Sequence, residues 1–168
     1  MKNCREITKK ADKANEGFKS ESSEMQMVLI NAHGDKVIRK MFSKTKEGAG
    51  DGFHLGIWDD GELAGGAVCW GIHRGNRNAE VGYWLGHAFT GRGLATRSAK
   101  ALIEHLFSVE KLHRIEMQCG VENAASRAVA ERCGLVNEGV RRESHWITDR
   151  FVDHVVYGVL DREWAVRY

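Results

Sequence analysis

The stretch that most constrains this chain is residues 79–108: an apolar segment, AEVGYWLG, a turn punctuated by glycines, TGRGLAT, and a helical pattern, in that order. Residues 79–86 carry apolar side chains at both parities, as a strand covered on both faces does. Gly82 inside that segment marks a bulge or a close approach by another part of the chain. Past the turn, Leu94, Ala95, Ala99, Leu102, Ile103, Leu106 and Phe107 recur at helical spacing as far as about residue 108. Glycines at a strand-to-helix junction let the backbone turn sharply with its N–H groups pointing outward. The helix N-terminus adds partial positive charge, so the place suits a phosphate or pyrophosphate. An ordinary tight turn would use the same residues. The segment is neither the Walker pattern, because no G-K-[ST] ends it, nor the dinucleotide fingerprint, because the third glycine is missing.

The flanking sequence extends this unit into a sheet. FHLGIW (53–58) and ELAGGAVCWGI (62–72) read as two strands joined by a tight turn at Asp60-Gly61. HRGNRN (73–78) is a second turn, and HRIEMQCGV (113–121) a further strand. A second helix opens at Asn123 as its N-cap, with Ala125, Ala128, Val129 and Cys133 along one side and Gly134 as its stop. VRRESHWI and FVDHVVYGVL read as a final antiparallel pair. Strands first paired by turns, then alternating with helices, predict a mixed, mostly antiparallel α/β sheet flanked by helices. Residues 1–52 are the least legible. Residues 11–24 are polar and weakly helical, MQMVLI (25–30) is an apolar run of either type, KVIRKMF (36–42) reads as the close of a helix, and GAGDG (48–52) as loop. With 168 residues, no repeat and no linker, a single domain over 1–168 is expected.

Composition narrows the function classes. Twenty-five Lys and Arg against 23 Asp and Glu leave a net charge of +2, which argues against nucleic acid or a polybasic membrane contact as the main partner. No stretch nears the ~18 apolar residues of a membrane span. No apolar segment follows the basic MKNCREITKK, so a secretory signal is not expected and a cytoplasmic location is. Cys4, Cys69, Cys119 and Cys133 are widely spaced and include no C-x-x-C pair, which predicts buried reduced thiols and no metal site. Proline is absent and glycine occurs 19 times, so turns fall to glycine and Asn/Asp. The aromatic residues Trp58, Trp70, Tyr83, Trp84 and Trp146 read as core, and Arg74, Arg77, Arg141 and Arg142 as a solvated charged surface.

Three pieces in order and spacing carry a family resemblance: AEVGYWLG, then G-R-G-L-A-T opening a helix, then V-E-N-A-A-S-R-A-V-A-E-R-C-G-L (121–135). From Ala79 to about Leu160 the chain resembles the GNAT superfamily of acetyl-CoA-dependent N-acetyltransferases, in the branch of the RimJ and RimL ribosomal-protein acetyltransferases; the likeness reaches more loosely back to residue 53. Residues 1–52 match it poorly. The resemblance implies a GNAT-like acyl-CoA N-acyltransferase fold. It implies that Gly91, Arg92, Gly93, Ala95 and Thr96 bind the coenzyme A pyrophosphate through backbone N–H groups. Thr90 stands where the family carries Gln or Arg. The strand at 79–86 would splay from its neighbour and offer its edge, at Tyr83, Trp84 and Leu85, to the pantetheine. Asn123 would bond the pantetheine arm, and Ser126 matches the serine near the thioester sulfur. A homodimer is a further implication, and some of the arginines could meet the 3′-phosphate.

Acetyl transfer to an amine needs a neutral nucleophile, a stabilised oxyanion and a thiolate that can leave. An α-amine with pKa about 7.7–8.0 is partly neutral at pH 7, whereas a lysine amine at about 10.4 is not, so an N-terminal amine asks less of a base. Thiolate is a fair leaving group, and a hydroxyl, assigned to Ser126, suffices as proton donor. Backbone N–H groups of the splayed strand can polarise the carbonyl. The resemblance implies that Glu80, at the start of the strand facing the acceptor side, is the first candidate base, acting through a water. It implies His145 as the second, at the place where RimL-like proteins carry a carboxylate base, with an imidazole suited to that work, and Glu143 takes its place if the register differs by two. The reading is an acetyl-CoA-dependent transferase acting on a protein N-terminal amine of ribosomal-protein type. The alternatives are a transferase for a polyamine, amino acid or antibiotic amine, with an enclosed polar pocket beside Glu80, and a non-catalytic acyl-CoA-binding module.

Overall fold

A computed structural model describes residues 20–30, 36–46 and 52–166. Eight strands follow chain order: β1 Ser20–Ile30, β2 Lys36–Lys46, β3 Phe53–Asp59, β4 Glu62–His73, β5 Asn78–Leu85, β6 Arg114–Gly120, β7 Val136–Ile147 and β8 Arg150–Leu160. Three helices accompany them: α1 Leu94–Ser108, α2 Ala124–Arg132 and α3 Asp161–Ala165. β1 and β2 form a two-stranded antiparallel sheet, and the other six strands form one sheet in the order β3-β4-β5-β6-β8-β7. Every pairing in the larger sheet is antiparallel except β5 with β6.

Local chemistry explains why these elements form where they do. Asp60 and Gly61 both take positive φ (47° and 87°), the backbone that a two-residue hairpin between right-twisted strands requires. Gly82 answers to a close approach: a Cβ there would stand 2.7 Å from Cη2 of Trp70 on the neighbouring strand. Leu94, Ser98, Ala99, Leu102, Ile103 and Leu106 form the buried stripe of α1. All but Ser98 belong to one core with Val81 of β5, Ile115 and Met117 of β6, and Tyr157 and Val159 of β8. Each large side chain buried there contributes about 1.5–3 kcal/mol. Gly134, at φ 80°, follows α2 in the left-handed conformation that ends a helix.

Two expectations are corrected. KVIRKMF is strand, not helix, and residues 20–30 are its partner, in unbroken register from Ser20↔Lys46 to Ile30↔Lys36. β-Branched Val28, Ile30, Val37 and Ile38 favour that state. The deciding partner lies on another segment, where a count of local period cannot see it. Residues 11–19 and 48–51, read as weak helix and loop, lie outside the described residues. The second correction concerns the aromatics. Trp84 and Trp146 are 60% and 59% exposed and Trp70 is exposed at 39%, while Tyr83 and Trp58 are half-buried. The tryptophan in the core is Trp164, whose Nε1 donates to Glu104 Oε2 at 2.5 Å. Trp146 is outside because β7 is an edge strand, exposed along nearly its whole length. Cys69, Cys119 and Cys133 are buried free thiols, and burial pushes Cys69 up to about 12. Among the described residues no helix is long and apolar enough to cross a membrane, and no cluster of potential ligands is placed to hold a metal ion.

Candidate active site

The site begins where the sheet fails to close. β5 and β6 pair in parallel only over Asn78↔Arg114, Ala79↔Ile115 and Glu80↔Glu116. Both strands then continue apart, β5 still paired with β4 as far as Leu85↔Gly65 and β6 with β8 as far as Gly120↔His154. Past Glu80, therefore, one edge of β5 has no strand beside it among the described residues. Residues Tyr83, Trp84 and Leu85 lie on that unpaired run, which suits a ligand able to bond to backbone as a strand would.

A cleft of about 920 Å³ opens beside the split, with Tyr83 on one wall, Gln118 to Ser126 on the next, and residues 147–154 of the β7–β8 hairpin on the third. The hydroxyl of Tyr83 donates to Ser126 Oγ at 3.3 Å across the gap. Burial raises the pKa of Tyr83, so near neutral pH it remains a donor. Ser126 is positioned by Asn123, whose Oδ1 accepts from the Ser126 backbone N–H at 3.0 Å as an N-cap does. That bond engages the oxygen of Asn123 and leaves its NH₂ group, on an exposed residue, as donor toward a ligand.

The glycine turn forms the start of α1. Gly91 and Gly93 have φ of 75° and 73°, values that strain any L-residue, and Gly93 is the N-cap with no side-chain hydrogen bond. No acidic residue stands in the first turn, so among the described residues the N–H groups opening α1, at Leu94, Ala95 and Thr96, meet no side-chain acceptor at the positive end of the helix. That donor set fits a diphosphate. Arg92 contributes backbone more than side chain here, since its Nη1 is paired with Asp59 Oδ2 at 2.9 Å. Thr90 Oγ1 is likewise turned inward, donating to the His87 carbonyl at 2.9 Å. Thr96 braces the two helices, its Oγ1 accepting from Arg132 Nε at 3.3 Å.

Of the three expected catalytic residues, Ser126 lines the cleft, whereas Glu80 and His145 stand one residue behind its wall. Glu80, at the vertex of the split, accepts from Gln118 Nε2 at 3.0 Å, and Gln118 faces the cleft. Burial first, then the charge of Glu116, raises the pKa of the Glu80 carboxyl. His145 is exposed, and its ring lies against His154 at a tilt of 43°, with centroids 3.9 Å apart. Between Arg141↔His154 and His145↔Val152 the register slips, so that residues 142–144 of β7 oppose Asp153 alone. The bulge is held by the Glu143 N–H donating to Asp153 Oδ1 at 2.7 Å, with Glu143 at φ 49°. Residue-by-residue reading of the sequence found neither Gln118 nor His154, and it assigned Tyr83 by its backbone and not its hydroxyl. The F-V-D-H run on the strand facing the split was the available signal. The arginines divide: Arg141 reaches Gln118 Oε1 at 3.4 Å, while Arg74 pairs with Glu110 and Arg77 with the Lys111 carbonyl.

Known proteins resemble this chain in sequence and fold. YdaF of Bacillus subtilis (strain 168), named for a ribosomal N-acetyltransferase, is 36% identical over 114 residues, covering 68% of this chain and 62% of that protein. The ribosomal-protein-serine acetyltransferase of Escherichia coli (strain K12) is 34% identical over 82 residues, covering 49% of this chain and 46% of its own. Mycobacterium smegmatis RimJ, solved in complex with CoA-disulfide, superposes with a TM-score of 0.65 at 31% identity, over 67% of this chain and 54% of that one. The chain thus spans about three-fifths or less of the length of these relatives. The Acetyltransferase (GNAT) domain family matches residues 10–136, most of the sequence, including the split strand, the glycine turn and the capped helix. By that match and by the mixed sheet that carries it, the chain belongs to the GNAT acetyltransferases.

Proposed function

We propose that the protein transfers the acetyl group of acetyl-CoA to a primary amine, and that the preferred acceptor is the N-terminal α-amine of a protein of ribosomal type. The observation that carries the reading is the split between β5 and β6, bridged by the Tyr83–Ser126 hydrogen bond and lying beside an uncapped glycine turn. Acetyl-CoA, when bound, supplies an activated thioester. The chain's residues do the rest. Gly91, Arg92, Gly93, Ala95 and Thr96 hold the diphosphate through backbone donors, and the free edge at Tyr83, Trp84 and Leu85 takes the pantetheine as a strand, with the Asn123 amide as an additional donor. Ser126 gives its proton to the departing sulfur and is resupplied by Tyr83. Glu80 is the first candidate base for the acceptor amine, acting through a water, and His145 is the second.

The shape of the cleft favours a polypeptide acceptor. Glu122, Ile147, Thr148, Asp149, Arg150 and Phe151 all line it and are all exposed, so among the described residues it is a groove and not a closed chamber. Its volume, near the upper end of small-molecule pockets at about 1,000 Å³, leaves room for more than one residue of a chain. The names of YdaF and of the Escherichia coli ribosomal-protein-serine acetyltransferase support the same acceptor. The reading further includes one domain over 1–168, a cytoplasmic location and a homodimer. Light scattering at twice 18.8 kDa would support the dimer, and a monomer mass would remove it.

Calorimetric titration with acetyl-CoA, dephospho-CoA and ATP tests the core of the proposal. Binding of acetyl-CoA with negligible binding of ATP is expected, followed by acetylation of peptides with a free N-terminal Ser or Ala in preference to spermidine. Absence of acetyl-CoA binding would refute the reading, and preference for spermidine would refute the acceptor.

A further inference from the structure

All three helices pack on one face of the six-stranded sheet. Leu102 of α1, Val129 of α2 and Trp164 of α3 share one core with Ala67 and Cys69 of β4 and Val81 of β5. Side chains alternate along a strand, so Gly66, Val68 and Trp70 of β4 and Glu80, Gly82 and Trp84 of β5 belong to the opposite face. Among the described residues no helix covers that face. Indoles stand on it instead. A Cβ on Gly66 would lie 2.7 Å from Nε1 of Trp84, one on Gly82 2.7 Å from Cη2 of Trp70, and one on Gly56 2.7 Å from Nε1 of Trp58. Trp70 and Trp84 reach in opposite directions across one strand pair, in which Val68↔Gly82 and Gly66↔Trp84 are facing partners. Covering a glycine supports a sheet, but β-branched pairs would do so with less apolar area in water. Trp70 and Trp84 are exposed, and so is Leu63, whose Cδ1 lies 3.4 Å from the Cβ position of Gly56. An exposed apolar surface of this kind marks a place where another chain binds.

The second observation is where this ledge stands. The cleft is lined from both faces of the sheet, by Tyr83, Cys119 and Ser126 on the helix side and by Gln118 on the other. Ser126, its Tyr83 contact and the glycine turn all belong to the helix side. A thioester seated in the gap turns its sulfur toward Ser126 in the proposed reaction, which leaves the opposite face for the incoming amine. On that face Glu80 stands at the vertex of the split, directly opposite Trp70 in the β4–β5 register, and Trp84 stands on the β5 arm. The β7–β8 hairpin borders the gap from the β6 side, and the ledge borders it from the β5 side. Glu80 and Trp84 are about 13 Å apart along β5, at 3.3 Å per residue, which about four residues of extended chain would span. A carboxylate at one end and apolar rings beyond it match an ammonium group at the end of an apolar segment.

We propose that Trp70 and Trp84 form the docking surface for the acceptor polypeptide. The chain lies extended along β5 with its terminal amine at the Glu80 vertex, and the apolar side chains of its next residues rest on the two indoles. Trp84 is the specificity-determining residue, because it is the more exposed ring and stands farthest from the vertex. This inference rests on the acetyl-transfer reading above and deepens it: the acceptor is an N-terminus whose second to fourth residues are apolar.

The experiment is steady-state kinetics of the full chain on two six-residue peptides. Each has a free N-terminal serine and ends in two arginines; one carries leucine and the other glycine at its second to fourth positions. In the wild type, KM for the leucine peptide is expected to be about tenfold or more below that for the glycine peptide. Trp84→Ala is expected to bring the two KM values within about twofold of each other, and Trp84→Phe to restore most of the gap. Any effect of the variants on acetyl-CoA binding is common to both peptides and cancels in the ratio. The difference in acrylamide quenching between wild type and Trp84→Phe reports the Trp84 ring, expected to be open in the free protein and shielded by the leucine peptide. Equal KM values in the wild type, a ratio unmoved in Trp84→Ala, or a ring shielded without peptide, by another part of the chain or by a second copy, would each overturn the proposal. If Trp84→Ala fails to fold, the wild-type ratio and the quenching still decide. Equal KM values with normal turnover overturn the docking surface alone, whereas wild-type protein that binds no acetyl-CoA overturns this inference and the acetyl-transfer reading together.

Discussion

Ser126 and Tyr83 show how much of this site is decided by a single hydroxyl contact. Ser126 sits one turn into α2, where its oxygen can meet either solvent or the split in the sheet, and the Tyr83 hydroxyl at 3.3 Å marks the second. If the serine protonates the leaving thiolate, Ser126→Ala should reduce kcat on the order of 10²-fold, the low end for a proton-transfer group, because thiolate is already a tolerable leaving group. Tyr83→Phe keeps the ring and removes only the donor, so a loss of about fivefold is expected, the rate equivalent of one neutral hydrogen bond near 1 kcal/mol. Pre-steady-state kinetics with a thiol-detecting reagent separates these effects from binding. Ser126 was legible because it follows Asn123 at fixed spacing in a helix. The Tyr83 hydroxyl was not, since its partner lies 43 positions away.

At the scale of the element, the proposed function rests on two helix ends, and both can be tested. Asn123 caps α2 through its Oδ1. Asn123→Ala should lower stability by about 1 kcal/mol in urea denaturation, while Asn123→Asp, which keeps the acceptor, should stay near wild type. A ligand role for its NH₂ group adds a distinct signature: the Asp variant would then keep its stability and lose coenzyme affinity. At the other helix, Gly93→Ala places a side chain at φ 73° and 3.2 Å from Arg97 Nη1, a strain of about 1–2 kcal/mol. The shift this forces on the turn should weaken acetyl-CoA binding about tenfold, as loss of one charge-assisted hydrogen bond would, read by calorimetry. These two ends were legible because caps and glycine turns are local chemistry. The pairing of β1 with β2 was not, and neither was the three-against-one bulge of β7, because both depend on a partner strand.

For the whole molecule, His154 ties stability to pH. Its ordinary value is 6.5 and its folded value lies lower, chiefly through burial. Between the two, the unfolded chain holds a proton that the folded chain does not, so stability should fall as pH drops below 6.5 toward the folded value. The urea midpoint measured from pH 7.5 downward should therefore decline in the wild type and decline less in His154→Gln. Glu80, raised by burial and by Glu116, acts with the opposite sign and is common to both proteins. A midpoint equally pH-dependent in the two would show that the histidine is not held neutral by the fold.

The sequence alone was enough for the sheet of six strands, the helix behind the glycine turn, the cap and stop of α2, and the family, because each rests on residues close together in the chain whose propensities and spacing act locally. The tertiary structure decided the rest. It decided that β5 and β6 part after Glu80, that Trp84 and Trp146 face outward, that Glu80 and His145 stand behind the cleft wall, and that His154 borders it. These are outcomes of which strand edge is left unpaired and which is buried. They follow from contacts between distant segments, and no period or motif within a single segment encodes them.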